Sequence, residues 1–263
     1  MALKAIVFDL DETLMHEKRS VDETFLTACA MAGVKYGVDA QALYASVLAR
    51  AREIWYAAPM REYCVAIGIS SWEALSGPFS SANPDEEALA AWTPNYRLQA
   101  WRNGLADHGV DDAELSEAMA ATFCTERQKR HILFDETLAV LDALRYDYRF
   151  AMLTNGAASG QGAKIDASGL APRFEVITIS GDVGVGKPDR RVFELALSRL
   201  GQEASEAVMV GDSLENDIQG AGRMGMRTVW LNRFGKDLDG ETRPDWELPD
   251  LRGLPGVLVG HGS

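Results

Sequence analysis

Short apolar runs closed by polar or glycine residues recur along the chain, at Ala5–Phe8, Phe150–Thr154, Val176–Ser180, Ala207–Gly211 and Thr228–Asn232. Apolar runs of this length, bounded by turn formers, read as buried strands. Between the later runs the apolar residues recur at spacings of three and four, which predicts helices. One opens at Asp135 with Leu138, Leu141 and Leu144 on one face, and one runs from about Arg190 to Leu200 and stops at Gly201. Another ends near Met224 with Gly225 as its C-cap. Strands alternating with helices imply an α/β fold, a parallel sheet with helices on both faces.

The first run belongs to that sheet by composition, yet residues 16–131 separate it from the rest. Here the pattern is helical. Ser20-Val-Asp-Glu23, ahead of Phe25 and Leu26, carries a capping-box spacing that predicts a helix start. Val21–Met31 and Ala40–Tyr56 carry the helical period with Gly33 and Gly37 between them. Ser76–Asp85 is rich in turn formers and reads as a loop; Glu86–Leu105 and Asp112–Arg130 are further helices. Trp55, Trp72, Trp92 and Trp101 fall in this stretch and read as core. The expected organisation is a catalytic α/β core made of residues 1–15 and 132–263, with residues 16–131 inserted as an all-α cap domain. The tail from Arg233, rich in Gly, Pro and Asp, is expected to lie along the core without chemistry.

Composition narrows the partners. The 263 residues are 47% hydrophobic and 25% charged, enough for a sizeable core. A formal net charge of -13 argues against a nucleic acid polymer held through its phosphates. Small phosphorylated molecules remain open, because a local cation can invert the field in a cleft. Cys29, Cys64 and Cys124 form no Cys-x-x-Cys pattern and read as reduced thiols. With no basic leader and no long apolar run, the expectation is a cytoplasmic protein without a membrane segment, monomeric or homodimeric. His16, His108, His131 and His261 lack metal-ligand spacing, and His16 reads as a surface residue. Arg50, Arg52, Arg61 and Arg97 read as a solvated face of the inserted stretch.

The chemistry concentrates where strands end. Asp9 and Asp11 close the first apolar run, roughly 7 Å apart if the chain stays extended. Two acids at the end of a buried strand are costly to desolvate and call for a cation or a shared proton. Thr154-Asn155, Gly184-Val-Gly-Lys187-Pro and Gly211-Asp212-Ser213-Leu-Glu-Asn216-Asp217 follow other strands. In a parallel sheet all these ends share one edge. Singly they read as a turn, a solvated loop and a helix N-cap. Together they supply a carboxylate nucleophile, oxygen ligands for a hard cation, and Thr and Lys for phosphate oxygens. Gly181 to Lys187 also matches the opening of a P-loop, but Pro188 stands where that motif needs a hydroxyl.

Asp-x-Asp-x-Thr-Leu, strand-Thr-Asn-Gly, Gly-Lys-Pro and Gly-Asp-Ser-x-x-Asn-Asp, in this order, resemble the four motifs of the haloacid dehalogenase superfamily. The likeness runs over Leu3–Met15 and about Leu133–Asn232. Met209–Asn232 most resembles the branch with N-acylneuraminate-9-phosphatase and pyrimidine nucleotidases, whose helical cap lies between the first two motifs. The resemblance implies a Rossmann-like core and a Mg²⁺-dependent phosphatase acting on a small phosphorylated metabolite, which the cap encloses and selects. It implies that Asp9 attacks phosphorus, that Asp11 gives and takes the proton, and that Asp9, Asp212 and the Asp11 carbonyl hold Mg²⁺. Thr154 and Asn155 would bind phosphate oxygens, and Lys187 would offset charge on Asp9 and the phosphoryl group. Asp217 and Asn216 would support the metal. Glu12 departs from the pattern, since many members have Gly or Asn there. The rivals are a haloacid dehalogenase, which lacks the second acid, a phosphosugar mutase, and a catalytically silent binding module.

Overall fold

A computed structural model describes residues 2–80, 83–238 and 240–259. His261, Ser81 and Ala82 lie outside the described residues. The chain divides into two compact units, Met1–His16 with Ile132–Gly156 and Ile165–Ser263, and Glu17–His131 with Ala157–Lys164.

The first unit is built on a parallel sheet. β1 (Ala5–Phe8) pairs with β2 (Arg149–Thr154) on one side and β4 (Ala207–Gly211) on the other. β3 (Val176–Ile179) extends the β2 edge, and β5 (Arg227–Leu231) extends the β4 edge. A sixth strand, β6 (Trp246–Leu248), pairs parallel to β5, so the order is β3-β2-β1-β4-β5-β6. Successive side chains alternate between faces. Ile6 and Phe8 pack with Phe150, Met152, Val208 and Val210 on one face, while Ala5 and Val7 pack with Ala151, Leu153 and Met209 on the other. Both faces are covered, by Leu141 and Leu144 of α7 (Thr137–Leu144) on the first and by Phe193 and Leu197 of α10 (Arg190–Leu200) on the second. That is why these strands read as unbroken apolar runs rather than alternating ones.

Several expectations need correction in this unit. The tail from Arg233 supplies β6 and α12 (Leu254–Val259) instead of merely lying along the core. The buried face of α7 is Thr137, Val140, Leu141 and Leu144, whereas Leu138 points to solvent. That helix starts at Thr137, with Asp135 before it. The segment ahead of Met224 opens as a wide, π-type turn over Leu214–Gln219 before α11 (Gly220–Arg223), and Ser213 caps its start by accepting Asn216 N–H on its hydroxyl. His16 is half-buried, its ring 3.7 Å from that of Phe134, rather than a surface residue.

The second unit is helical: α1 (Glu17–Tyr36), α2 (Ala40–Tyr56), α3 (Arg61–Ile67), α4 (Ser71–Ala74), α5 (Pro84–Ala106) and α6 (Ala113–Arg127). Asp39, Asn83 and Asp112 cap α2, α5 and α6 by accepting from first-turn N–H groups. The core centres on Phe25, whose ring meets Tyr44, Trp101 and Phe123. Trp55 and Trp101 are buried there, with Trp72 and Trp92 partly so.

The expected start of α1 at Ser20 is wrong. The helix begins at Glu17, and Ser20 lies inside it with its hydroxyl donating to the Arg130 carbonyl. Glu17 is itself buried, paired with Arg127 and, at 2.8 Å, with Lys164. Lys164 belongs to α8 (Ala158–Ala167), most of which clusters with this unit although the sequence placed it in the core. Arg97 is not on a solvated face either, since it donates to the carbonyls of Ala74 and Gly77. Among the described residues, no helix is long and apolar enough to cross a membrane.

Candidate active site

Asp9 follows β1, Thr154 closes β2, Asp212 follows β4, and parallel pairing puts these ends on one edge. There the carboxylate oxygens of Asp9, Asp212 and Asp217 come within 4.8 Å of one another. Residues two hundred positions apart in the chain thus share one hollow.

Backbone geometry admits the close approach. Asp9 N–H donates to Val210 O at 3.0 Å, locking the start of the loop to β4. Asp217 reaches back over Gly211, where a Cβ would sit 2.2 Å from Asp217 Oδ2, so no larger residue fits at that strand end. Asp217 Oδ2 accepts from Ser213 N–H at 3.0 Å, and the Asp212 carbonyl accepts from Trp230 Nε1 at 2.9 Å. Trp230 was not singled out as a site residue. Its only sequence signal is a ring with a polar handle at the end of an apolar strand.

Lys187 reaches the same hollow from the loop after β3. Its Nζ donates to Asp9 Oδ1 at 2.6 Å and to Asp217 Oδ1 at 2.7 Å, with both pairs almost fully buried. Asn155 clasps the lysine backbone: its Nδ2 donates to Lys187 O at 2.9 Å, and its Oδ1 accepts from Lys187 N–H at 2.8 Å. Gly186 makes room, because a Cβ there would lie 2.6 Å from Asn155 Oδ1. The side chain of Asn155 therefore positions Lys187, a role the sequence did not suggest. Thr154 is buried, with its hydroxyl at the strand end. Asn216 contributes its backbone N–H, to Ser213 Oγ. Asp11 lies outside the three-carboxylate group, in a half-exposed turn bridged to Met15.

Burial and mutual repulsion shape the electrostatics of this cluster. Burial, then the Lys187 charge working the other way and that of Asp217 adding to it, leave Asp9 raised above the usual carboxylate range. Burial works against the Lys187 ammonium, but Asp217 and Asp9 outweigh it and hold its pKa above the ordinary value. Asp212 is pushed up to about 8 by burial and by the charges of Asp9 and Asp217. With one ammonium among three acids, the cluster resists full ionisation on its own. An all-oxygen, acid-rich donor set with unbalanced negative charge suits a hard divalent cation such as Mg²⁺.

A parallel α/β sheet whose carboxyl edge gathers three aspartates and a lysine places the chain among α/β proteins with an acidic crevice suited to a cation and a phosphoryl group. A family model described as haloacid dehalogenase-like hydrolase matches residues 3–225, and the chain belongs to that family. It is 38% identical over 254 residues to a phosphoserine phosphatase of Thermus thermophilus, covering 95% of this chain and 97% of that protein. It is 27% identical over 260 residues to the N-acylneuraminate-9-phosphatase of Mus musculus, covering 97% and 94%. The magnesium-bound crystal structure of the HAD-hydrolase YfnB from Bacillus subtilis shares the fold, with a TM-score of 0.68, 20% identity and 98% and 99% coverage.

Proposed function

We propose that the chain is a Mg²⁺-dependent phosphatase that cleaves small phosphomonoesters through a phosphorylated Asp9. The reading rests on one observation: Asp9, Asp212 and Asp217 converge around Lys187 at the sheet edge, with a second acid, Asp11, two residues past the first.

Asp9 Oδ attacks phosphorus, an aspartyl-phosphate bond forms, and the ester P–O bond breaks. The departing alkoxide takes its proton from Asp11. Water then attacks the same phosphorus; Asp11 accepts its proton, phosphate leaves, and Asp9 is regenerated. Thr154 and the backbone at Asn155 bind phosphoryl oxygens. Lys187 stabilises charge on the phosphoryl group and orients Asp9, while Asn155 and Gly186 fix its reach. Asp9, Asp212 and the Asp11 carbonyl would hold Mg²⁺, with Asp217 and Asn216 supporting that set. When bound, the ion lets an anionic nucleophile meet an anionic phosphate. The helical unit is the cap that selects the substrate, and the relative named for phosphoserine makes phosphoserine the first compound to try.

The fold alone does not separate phosphatase from dehalogenase. Asp11 favours the phosphatase, because expelling a halide requires no proton donor. Purified protein should release phosphate from phosphoserine or an aryl phosphate with Mg²⁺ and stop when chelator is added. Halide release from a haloacid, without phosphate release, would overturn the assignment.

A further inference from the structure

Arg233, the second residue past β5, sits in a tail that carries no recognisable motif, yet its side chain is only 7% exposed. Its guanidinium carbon lies over the Phe134 ring, 3.4 Å from the centroid. Each of its nitrogens is engaged. Nε donates to Glu12 O at 3.1 Å, Nη2 to Thr13 O at 2.8 Å, and Nη1 to Glu136 Oε1 at 2.8 Å. Two of the three acceptors are consecutive carbonyls of the loop that begins with Asp9 and Asp11.

Glu12 is where that loop is strained. Its φ is 58°, in the left-handed region that costs a residue with a Cβ roughly 1–2 kcal/mol. The torsion is held from both ends. On its amide side Glu12 N–H donates to Met15 O at 2.8 Å; on its carbonyl side Arg233 grips Glu12 O and Thr13 O. The Asp11 carbonyl belongs to the peptide plane on the amide side. If Glu12 relaxes towards negative φ, that plane turns and Asp11 turns with it.

We infer that Arg233 is a positioning residue for Asp11: by clamping the Glu12 and Thr13 carbonyls it holds Glu12 left-handed and aims the proton-transferring acid. The inference rests on the phosphatase reading for Asp11's role. Its geometry is independent of that reading. A lysine cannot replace the fork, because one ammonium cannot span two carbonyls and a carboxylate while stacked on a ring.

The test uses the full chain with Arg233→Lys and Arg233→Met, and with Arg233→Met/Glu136→Gln to remove the carboxylate that the methionine leaves buried. At saturating Mg²⁺, kcat/KM, which reports formation of the phosphorylated Asp9 and not its later hydrolysis, is compared on phosphoserine, whose alkoxide needs a proton, and on 2,4-dinitrophenyl phosphate, whose leaving group does not. Misplacing Asp11 should lower kcat/KM for phosphoserine by about tenfold or more, and for the aryl ester by less than about threefold, while kcat, which includes the Asp11-assisted hydrolysis common to both, falls for each. Glu12→Gly, which adopts the left-handed turn without cost, should recover most of the lost turnover in the Arg233→Met background. Protection of the residue-12 amide, corrected for intrinsic exchange, should fall by about tenfold in Arg233→Met and recover with the glycine. Equal losses of kcat/KM on both substrates, or no recovery with the glycine, would assign Arg233 a purely structural role and overturn the inference. A wild-type protein that hydrolyses neither ester would instead remove the phosphatase reading, while the exchange data would still report on the clamp.

Discussion

Asp212→Asn should make the metal-free protein more stable, although the aspartate is a proposed metal ligand. Without a cation, burial and the charges of Asp9 and Asp217 push the Asp212 carboxyl up to about 8, against an ordinary value of 3.8. A carboxyl raised in the folded state binds its proton more tightly there than in the unfolded chain. Its penalty is therefore absent below about pH 4, grows as pH rises, and levels off near pH 8. Each pH unit inside that window is worth about 1.4 kcal/mol, so from pH 5 to pH 7 the ceiling is about 2.7 kcal/mol. Asp212 keeps partial access to solvent, and about half the ceiling is the expected size. Urea unfolding in EDTA, read by tryptophan fluorescence at pH 5, 6, 7 and 8, gives the stability gap between variant and wild type. The gap should favour asparagine and widen with pH, and saturating Mg²⁺ should close or reverse it, because the ion binds the wild-type folded state. A gap that does not change with pH, or a less stable asparagine variant at pH 7 in EDTA, would refute the electrostatic account of the hollow.

Two further outcomes follow from packing and charge. Gly211→Ala should abolish turnover and destabilise the core unit by about 1–3 kcal/mol, because the new Cβ would stand 2.2 Å from Asp217 Oδ2; wild-type kinetics in that variant would show that Asp217 can move aside freely. Glu17→Gln strands Arg127 and Lys164 beside a neutral amide and should cost the helical unit about 3–5 kcal/mol by chemical denaturation at pH 7. Burial opposes the Glu17 carboxylate, but Lys164 and Arg127 hold its pKa below the usual 4.5. Its contribution is thus present above that value and lost as pH falls below it, so the glutamine variant should show a shallower loss of stability in acid.

Much of this was legible in the chain because parallel strands buried on both faces leave apolar runs, and because the chemistry sits where those runs stop. Asp9, Thr154 and Asp212 announce themselves as polar residues closing Ala5–Phe8, Phe150–Leu153 and Ala207–Gly211. What escaped has a common cause. β6 is three residues long and lies among turn formers, so no period could mark it. The Ser20–Glu23 spacing matched a cap, but Ser20's hydroxyl is spent on Arg130, a contact 110 residues away. Leu138 shared a helical spacing with Leu141 and Leu144, yet the sheet met the neighbouring stripe through Thr137 and Val140. Asn155's clasp on Lys187 and Arg233's grip on the Glu12 turn are side-chain-to-backbone bonds between distant segments, and such bonds leave no pattern in either segment.

The strained Glu12 turn links sequence to chemistry most tightly. A glutamate stands at positive φ where the family pattern favours Gly or Asn, and the chain holds that conformation with a hydrogen bond from Glu12 N–H to Met15 O and one from Arg233 to Glu12 O. Strain of this kind persists only where surrounding structure over-determines it, and it tends to gather at working sites.

The most direct test of the central claim is a rapid acid quench of the enzyme turning over phosphoserine with Mg²⁺, followed by peptide mass spectrometry of the N-terminal segment. The expected result is a phosphoryl group on Asp9, absent in chelator and absent in Asp9→Asn. Sustained phosphate release by Asp9→Asn, with no modified Asp9 found in the wild type at any time, would contradict it.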